Sequence, residues 1–230
     1  MGEQNFNIYF DFQSTFMSDK NTGLDTLKDI RQMMERSSRF ISLSGLSGIA
    51  AGICALVGAW FAFDVINGSS SGYRQYETHY PDIIALKQFM GYKLFRVALF
   101  TLVAAFILAL IFTWVKSRKN NVPIWGTSSK RLMWNVAFPL VAGGIFLLRM
   151  IQLGYFGMIA PGCLIFYGIA LINASKYTLG EVRYLGYCQV ILGLINCWFL
   201  GYGLYFWTIG FGVLHIIYGA MMWWKYERKS

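Results

Sequence analysis

Apolar residues in this chain come in long runs rather than in alternation. Six runs stand out, at about residues 40–65, 94–115, 133–150, 155–174, 184–200 and 204–224. Each is close to the ~20 apolar residues that a helix needs to cross the roughly 30 Å hydrocarbon layer. A segment in lipid must satisfy its own backbone, so the runs predict helices. Ahead of the first run, Leu24, Leu27, Ile30 and Met34 recur at spacings of three and four, with Lys28, Asp29, Arg31, Glu35, Arg36 and Arg39 around them. This reads as an amphipathic helix over 22–39, capped by Thr22, that lies in the interface or runs into the first span. The expected fold is all-α: a six-transmembrane helical bundle over 40–224, preceded by that amphipathic helix. Residues 1–21 read as a poorly ordered tail and 225–230 as a cytoplasmic tail.

Within the first run, small residues repeat every four positions. Ser44, Gly48 and Gly52 form one stripe, and Ser47, Ala51, Ala55 and Ala59 form the next. In a helix these stripes adjoin, so one face is nearly flat. Lipid gives helices no hydrophobic drive to associate, and small faces allow the close backbone approach that replaces it. The first span is therefore expected to be the central packing helix, or a dimer face. Gly212 and Gly219 mark a similar side of the last span. Asn67–Gly91 reads as a polar loop with a short surface helix at Pro81–Met90. The short connections later in the chain predict antiparallel neighbours. Pro139 and Pro161 fall inside runs and are expected to kink them.

Composition supports the class. The chain is 56% hydrophobic and 13% charged, against about 25% charged in a soluble domain. A net charge of +9 would suggest nucleic acid in a soluble protein. Here it reads as orientation: with a cytoplasmic N-terminus, 15 of the 20 Lys and Arg residues fall on the inside. That predicts both termini in the cytoplasm of a bacterial inner membrane, and no nucleic-acid partner. The tryptophans fall near span ends, as an aromatic belt requires. The first 40 residues lack a basic signal-peptide start, and Met17 is an alternative initiator. Cys54, Cys163, Cys188 and Cys197 lie in spans without a CxxC pair, so they read as packing residues rather than metal ligands or disulfides.

His215 is the most distinctive polar residue, about midway along the last span. An ionisable group at that depth is a functional candidate by default. Two readings fit: a proton relay or ligand contact, or a neutral imidazole hydrogen-bonded across helices to Asn196 or Gln189. Haem needs a second axial ligand, and the other histidine, His79, falls in a loop. A second group, Asp64, Lys93, Arg96, Arg149 and Gln152, gathers near the outer boundary by depth. It reads as an anion or headgroup vestibule, or as snorkelling chains with an Asp64–Arg96 ion pair. Glu181 and Arg183 read as a solvated face. No nucleotide, zinc or nucleophile motif is present, so no catalytic residue, metal or cofactor is assigned.

The segments Arg36-Ser-Ser-Arg-Phe-Ile-Ser-Leu-Ser-Gly-Leu-Ser-Gly48 and Gly210-Phe-Gly-Val-Leu-His-Ile-Ile-Tyr-Gly-Ala-Met-Met-Trp-Trp-Lys-Tyr-Glu227 resemble those of small polytopic bacterial inner-membrane proteins. The resemblance implies a fold and a compartment and carries over no functional residue. Three functions remain in view. The first is a non-enzymatic module in the bilayer that binds a membrane or cytoplasmic protein partner, or a second copy of itself, or senses the membrane. The second is a small transporter or channel using His215 and the Asp64, Arg96 and Arg149 group. The third is a membrane-embedded enzyme or cofactor carrier.

Overall fold

Hydrocarbon offers a backbone N–H or C=O no partner, and this chain answers with helix. The structure, a computed structural model, describes residues 44–68, 93–119 and 126–228. The expected tail 1–21, amphipathic helix 22–39 and Pro81–Met90 helix lie outside the described residues. Five helices come first: α1 (Gly45–Gly68), α2 (Lys93–Lys119), α3 (Thr127–Gln152), α4 (Ile159–Ala174) and α5 (Val182–Trp198). The chain then continues as one rod built from α6 (Gly203–Trp207), a π-helical segment (Thr208–Leu214) and α7 (His215–Tyr226). Short 3-10 turns, Phe156–Met158 and Leu200–Tyr202, lead into α4 and α6. No strand occurs among the described residues.

Five stretches are long and apolar enough to cross a membrane: Gly45–Asn67, Lys93–Lys119, Ser129–Gln152, Phe156–Ala174 and Leu200–Tyr226. This defines an integral membrane protein. The fifth helix, α5, has 17 residues and is about 26 Å long at 1.5 Å per residue, at the short end for a span. Polarity is inverted relative to a soluble domain. Phe100 and Phe138 point outward at 76% and 77% exposure, while Gln189 and Asn196 are fully buried.

Glycine sets how closely the helices approach. A Cβ added at Gly52 would stand 2.7 Å from the Gly212 carbonyl, and one at Gly219 would stand 2.6 Å from the Gly45 carbonyl. These contacts run antiparallel, so α1 lies against the last rod nearly backbone to backbone. A second seam joins α4 and α5, where a Cβ at either Gly168 or Gly186 would stand 2.7 Å from the other's carbonyl oxygen. Thr101 of α2 fills the notch left by Gly58 of α1, and Phe166 of α4 fills that left by Gly143 of α3. Gly154, at φ +80°, makes the sharp turn between α3 and α4 that a side chain would strain.

Three expectations change. First, α1 is not the centre of the bundle. It packs on α2 and the last rod, whereas α3 and α5 pack on α4, and the last rod touches both groups. The joint is therefore the last rod, which presents Gly212 and Gly219 to α1 and Gly210 to α4 and α5. A flat face on one helix brings one neighbour close; a helix with glycines on two sides brings two. Second, Pro161 falls in the first turn of α4, where a missing N–H costs no hydrogen bond and forces no kink. Of these two prolines, Pro139 is the one in a helix interior. Third, Cys188 is exposed on the apolar surface, while Cys54, Cys163 and Cys197 are half-buried.

Candidate functional site

The interior polar site forms where α4, α5 and the last rod meet. In the last rod, the π-helical segment Thr208–Leu214 immediately precedes His215. His215 is 6% exposed. Its Nδ1 lies 3.0 Å from the Gly210 carbonyl oxygen and its Nε2 lies 2.8 Å from Tyr167 Oη. These contacts determine the tautomer. A carbonyl only accepts, so Nδ1 carries the proton; in the neutral ring Nε2 then accepts, and the Tyr167 hydroxyl donates. Both ring nitrogens are engaged. Gln189 Nε2 donates to the same Gly210 carbonyl at 2.8 Å. The Phe211 ring stacks against His215 and tilts against Tyr167, with centroids 5.9 and 5.0 Å apart.

His215 thus meets neither of the partners expected from depth. Its side-chain partner is Tyr167 of α4, and Gln189 reaches it only through the shared carbonyl. A depth estimate gives height along the membrane but not direction around the helix, and the π turn rotates His215 relative to a regular helix. Asn196 lies seven residues beyond Gln189 on α5, also fully buried. Its Oδ1 and Nδ2, and Gln189 Oε1, find no hydrogen-bond partner among the described residues.

Among the described residues, the charged group expected near the outer boundary is divided between two sets of packed helices. Asp64 ends α1, and Lys93 and Arg96 begin α2, which packs on α1. Arg149 ends α3, where its guanidinium contacts Gln152 Oε1 at 3.3 Å. Among the described residues α1 packs on α2 and α3 packs on α4, so Asp64 and Arg149 stand on different packed pairs. The small residues of α1 do meet those of the last rod. Gly48 lies against Gly219, and Gly52 against Gly212. Ser44, Ser47 and Ala55 are buried, and Ala51 is half-buried.

The strongest electrostatics lie at the other end of α1 and were not read from the sequence. Glu227, just past α7, accepts the Gly45 backbone N–H at 2.8 Å, the Lys116 ammonium of α2 at 2.8 Å and the Ser44 hydroxyl at 3.4 Å. Ser44 also caps α1 locally, its Oγ accepting the Leu46 N–H at 3.2 Å. One carboxylate thus ties three helices and sits at the positive end of α1. Burial alone would raise its pKa, but these donors outweigh that and hold it below the usual carboxylate value. Glu181, before α5, takes the Lys225 ammonium and the Tyr226 hydroxyl, the latter at 2.7 Å. Burial again opposes, and the two hydrogen bonds bring Glu181 down to about 2. Arg183 instead bonds the Tyr184 hydroxyl at 3.0 Å. Arg118 lies over Trp114 and Arg228 over Trp224, anchoring the same end.

Among the described residues no group of three His, Cys, Asp or Glu side chains converges as a metal site. Fold and site together define a helical integral membrane protein with a buried, largely neutral polar seam. No protein-family model, curated protein or solved structure matches the chain.

Proposed function

We propose that the chain is a six-span protein of the bacterial inner membrane, both termini cytoplasmic, that works as a non-enzymatic partner-binding or membrane-sensing module. On this reading α5 is the fifth of six spans, and the Glu181–Glu227 end faces the cytoplasm, where basic residues concentrate. The observation that carries it is the closure of His215. Both ring nitrogens are bonded within the protein, at Tyr167 and at Gly210, so neither is presented to a passing ion. The glycine seams on either side of the last rod leave its backbone in contact with both neighbours.

A second reading, a small transporter or channel, draws on the unpaired amide atoms of Asn196 and Gln189. Purified protein in pyranine-loaded liposomes separates the two. The module reading expects proton flux equal to that of protein-free vesicles. Flux above that level, lost in His215→Ala, replaces it with transport. Amine labelling of Lys130 from the periplasmic side of sealed cells overturns the orientation.

A further inference from the structure

The seam between α4, α5 and the last rod carries amides at two depths. Asn196 is fully buried with both amide atoms unpaired among the described residues. Exchanging its O and N does not help, because both need partners. An unbonded amide in a low-dielectric interior is costly, and buried polar groups are normally satisfied by protein or by ordered water. The residue facing this amide on the last rod is Gly203, where an added Cβ would stand 4.0 Å from Asn196 Oδ1 and 3.1 Å from Ala160. Asn196 is also near the end of α5, where the last carbonyls lack intrahelical donors; its own is taken by the Phe199 N–H at 3.0 Å.

Deeper in the seam, Gln189 Oε1 is likewise unpaired, and it lies against Gly210. Between the two amides stands Leu164, fully buried. Its Cβ lies against Gly193 of α5 and its Cδ2 against Gly210 of the last rod. On α5 the order is Asn196, Gly193, Gln189, and on α4 it is Ala160, Leu164, Tyr167, so an apolar level separates two polar ones, with Leu164 fully buried in it and Ile165 beside it at Gly193. Ala160, Gly203, Leu164 and Gly210 are all uncharged, which fits a neutral occupant that both donates and accepts hydrogen bonds. Water is such a molecule: at Asn196 it would meet an acceptor, Oδ1, and a donor, Nδ2, and at Gln189 the acceptor Oε1.

We propose that this seam binds water at two stations, one at Asn196 and one at Gln189 Oε1, and that Leu164 is the apolar barrier between them. The proposal goes beyond both functional readings. A static bundle and a pathway would each hold these waters, and only the barrier decides whether they join. Apolar constrictions of this kind close aqueous routes by excluding water.

Two measurements on the full chain in liposomes test it. The first is magic-angle-spinning NMR transfer from water to side-chain amides, with Asn196→Leu and Gln189→Leu assigning the signals. Transfer is expected at both amides, and its absence at either removes that station. Asn196→Leu is also expected to lower the unfolding midpoint, whereas a raised midpoint means the amide was simply unpaired. The second is proton leak into pyranine-loaded vesicles. Leu164→Asn and Leu164→Ala are expected to leak faster than wild type, and adding Asn196→Leu is expected to suppress that leak. A folded Leu164 variant with wild-type tightness overturns the barrier. Leu164→Val, a smaller change, supplies the same comparison with a smaller expected increase if the other two fail to fold.

Discussion

Glu227 carries a test of how the bundle is held at one end. Its carboxylate makes two strong charge-assisted hydrogen bonds, to Lys116 and to the Gly45 N–H, each at 2.8 Å. The Ser44 contact at 3.4 Å adds little. Charge-assisted bonds contribute about 1.5–3 kcal/mol each, so the gross interaction is roughly 4 kcal/mol. Lys116 and Glu227 keep 18% and 16% side-chain exposure, so water rehydrates part of what a substitution leaves unpaired. Glu227→Ala is therefore expected to cost about 2–3 kcal/mol. Glu227→Gln keeps an oxygen for the α1 N-terminus and loses the charge, so it is expected to cost about 1 kcal/mol. The assay is reversible unfolding in mixed micelles across a double-mutant cycle with Lys116→Met. The cycle is expected to show a coupling of about 1 kcal/mol, because the second substitution removes a partner already lost. Strict additivity, or a Glu227→Ala cost below about 0.5 kcal/mol, would show that the three helix ends are not tied through this carboxylate.

Tyr167→Phe strips the donor from His215 Nε2 in a buried site and is expected to destabilise by about 1–2 kcal/mol; an unchanged unfolding midpoint would contradict the assigned tautomer. Gly186→Leu places side-chain atoms where Gly168 of α4 now sits and is expected to cost more than about 3 kcal/mol or prevent assembly. Gly144→Ala, where an added Cβ meets nothing within 4 Å, is expected to be neutral or stabilising by up to about 1 kcal/mol. If both behave alike, glycine spacing does not set the α4–α5 approach. For acid sensitivity, the Glu181 carboxyl lies at about 2 in the folded chain against an ordinary 4.5. A depressed carboxylate contributes stability that is complete above 4.5 and disappears as pH falls toward 2. Glu181→Gln is expected to flatten the acid limb of an unfolding-midpoint profile, and an unchanged limb would place the sensitivity elsewhere.

Class and helix positions were legible from residue order alone, because lipid imposes a local rule. Any backbone in hydrocarbon must bond within its own segment, so length and apolarity are nearly sufficient. The runs at 94–115 and 133–150 became α2 and α3 with ends moved outward by one to six residues, since polar termini extend a helix past its apolar stretch. Small residues on the first and last spans were also visible as faces. What they faced was not. Antiparallel register, the second glycine face at Gly210 and the π turn before His215 depend on how several helices share one volume. The same limit hid the partners of the polar residues. Tyr167 looked like one aromatic among 14 tyrosines, and only the approach of α4 to the last rod makes it the donor to His215. Glu227 left one clue, an acid at the negative end of a helix, which is unfavourable in isolation. Its compensation comes from the N-terminus of α1 and the end of α2, residues 182 and 111 positions away. Hydrogen bonds and backbone contacts act over about 3 Å, and the tertiary fold alone brings such distant positions within that range.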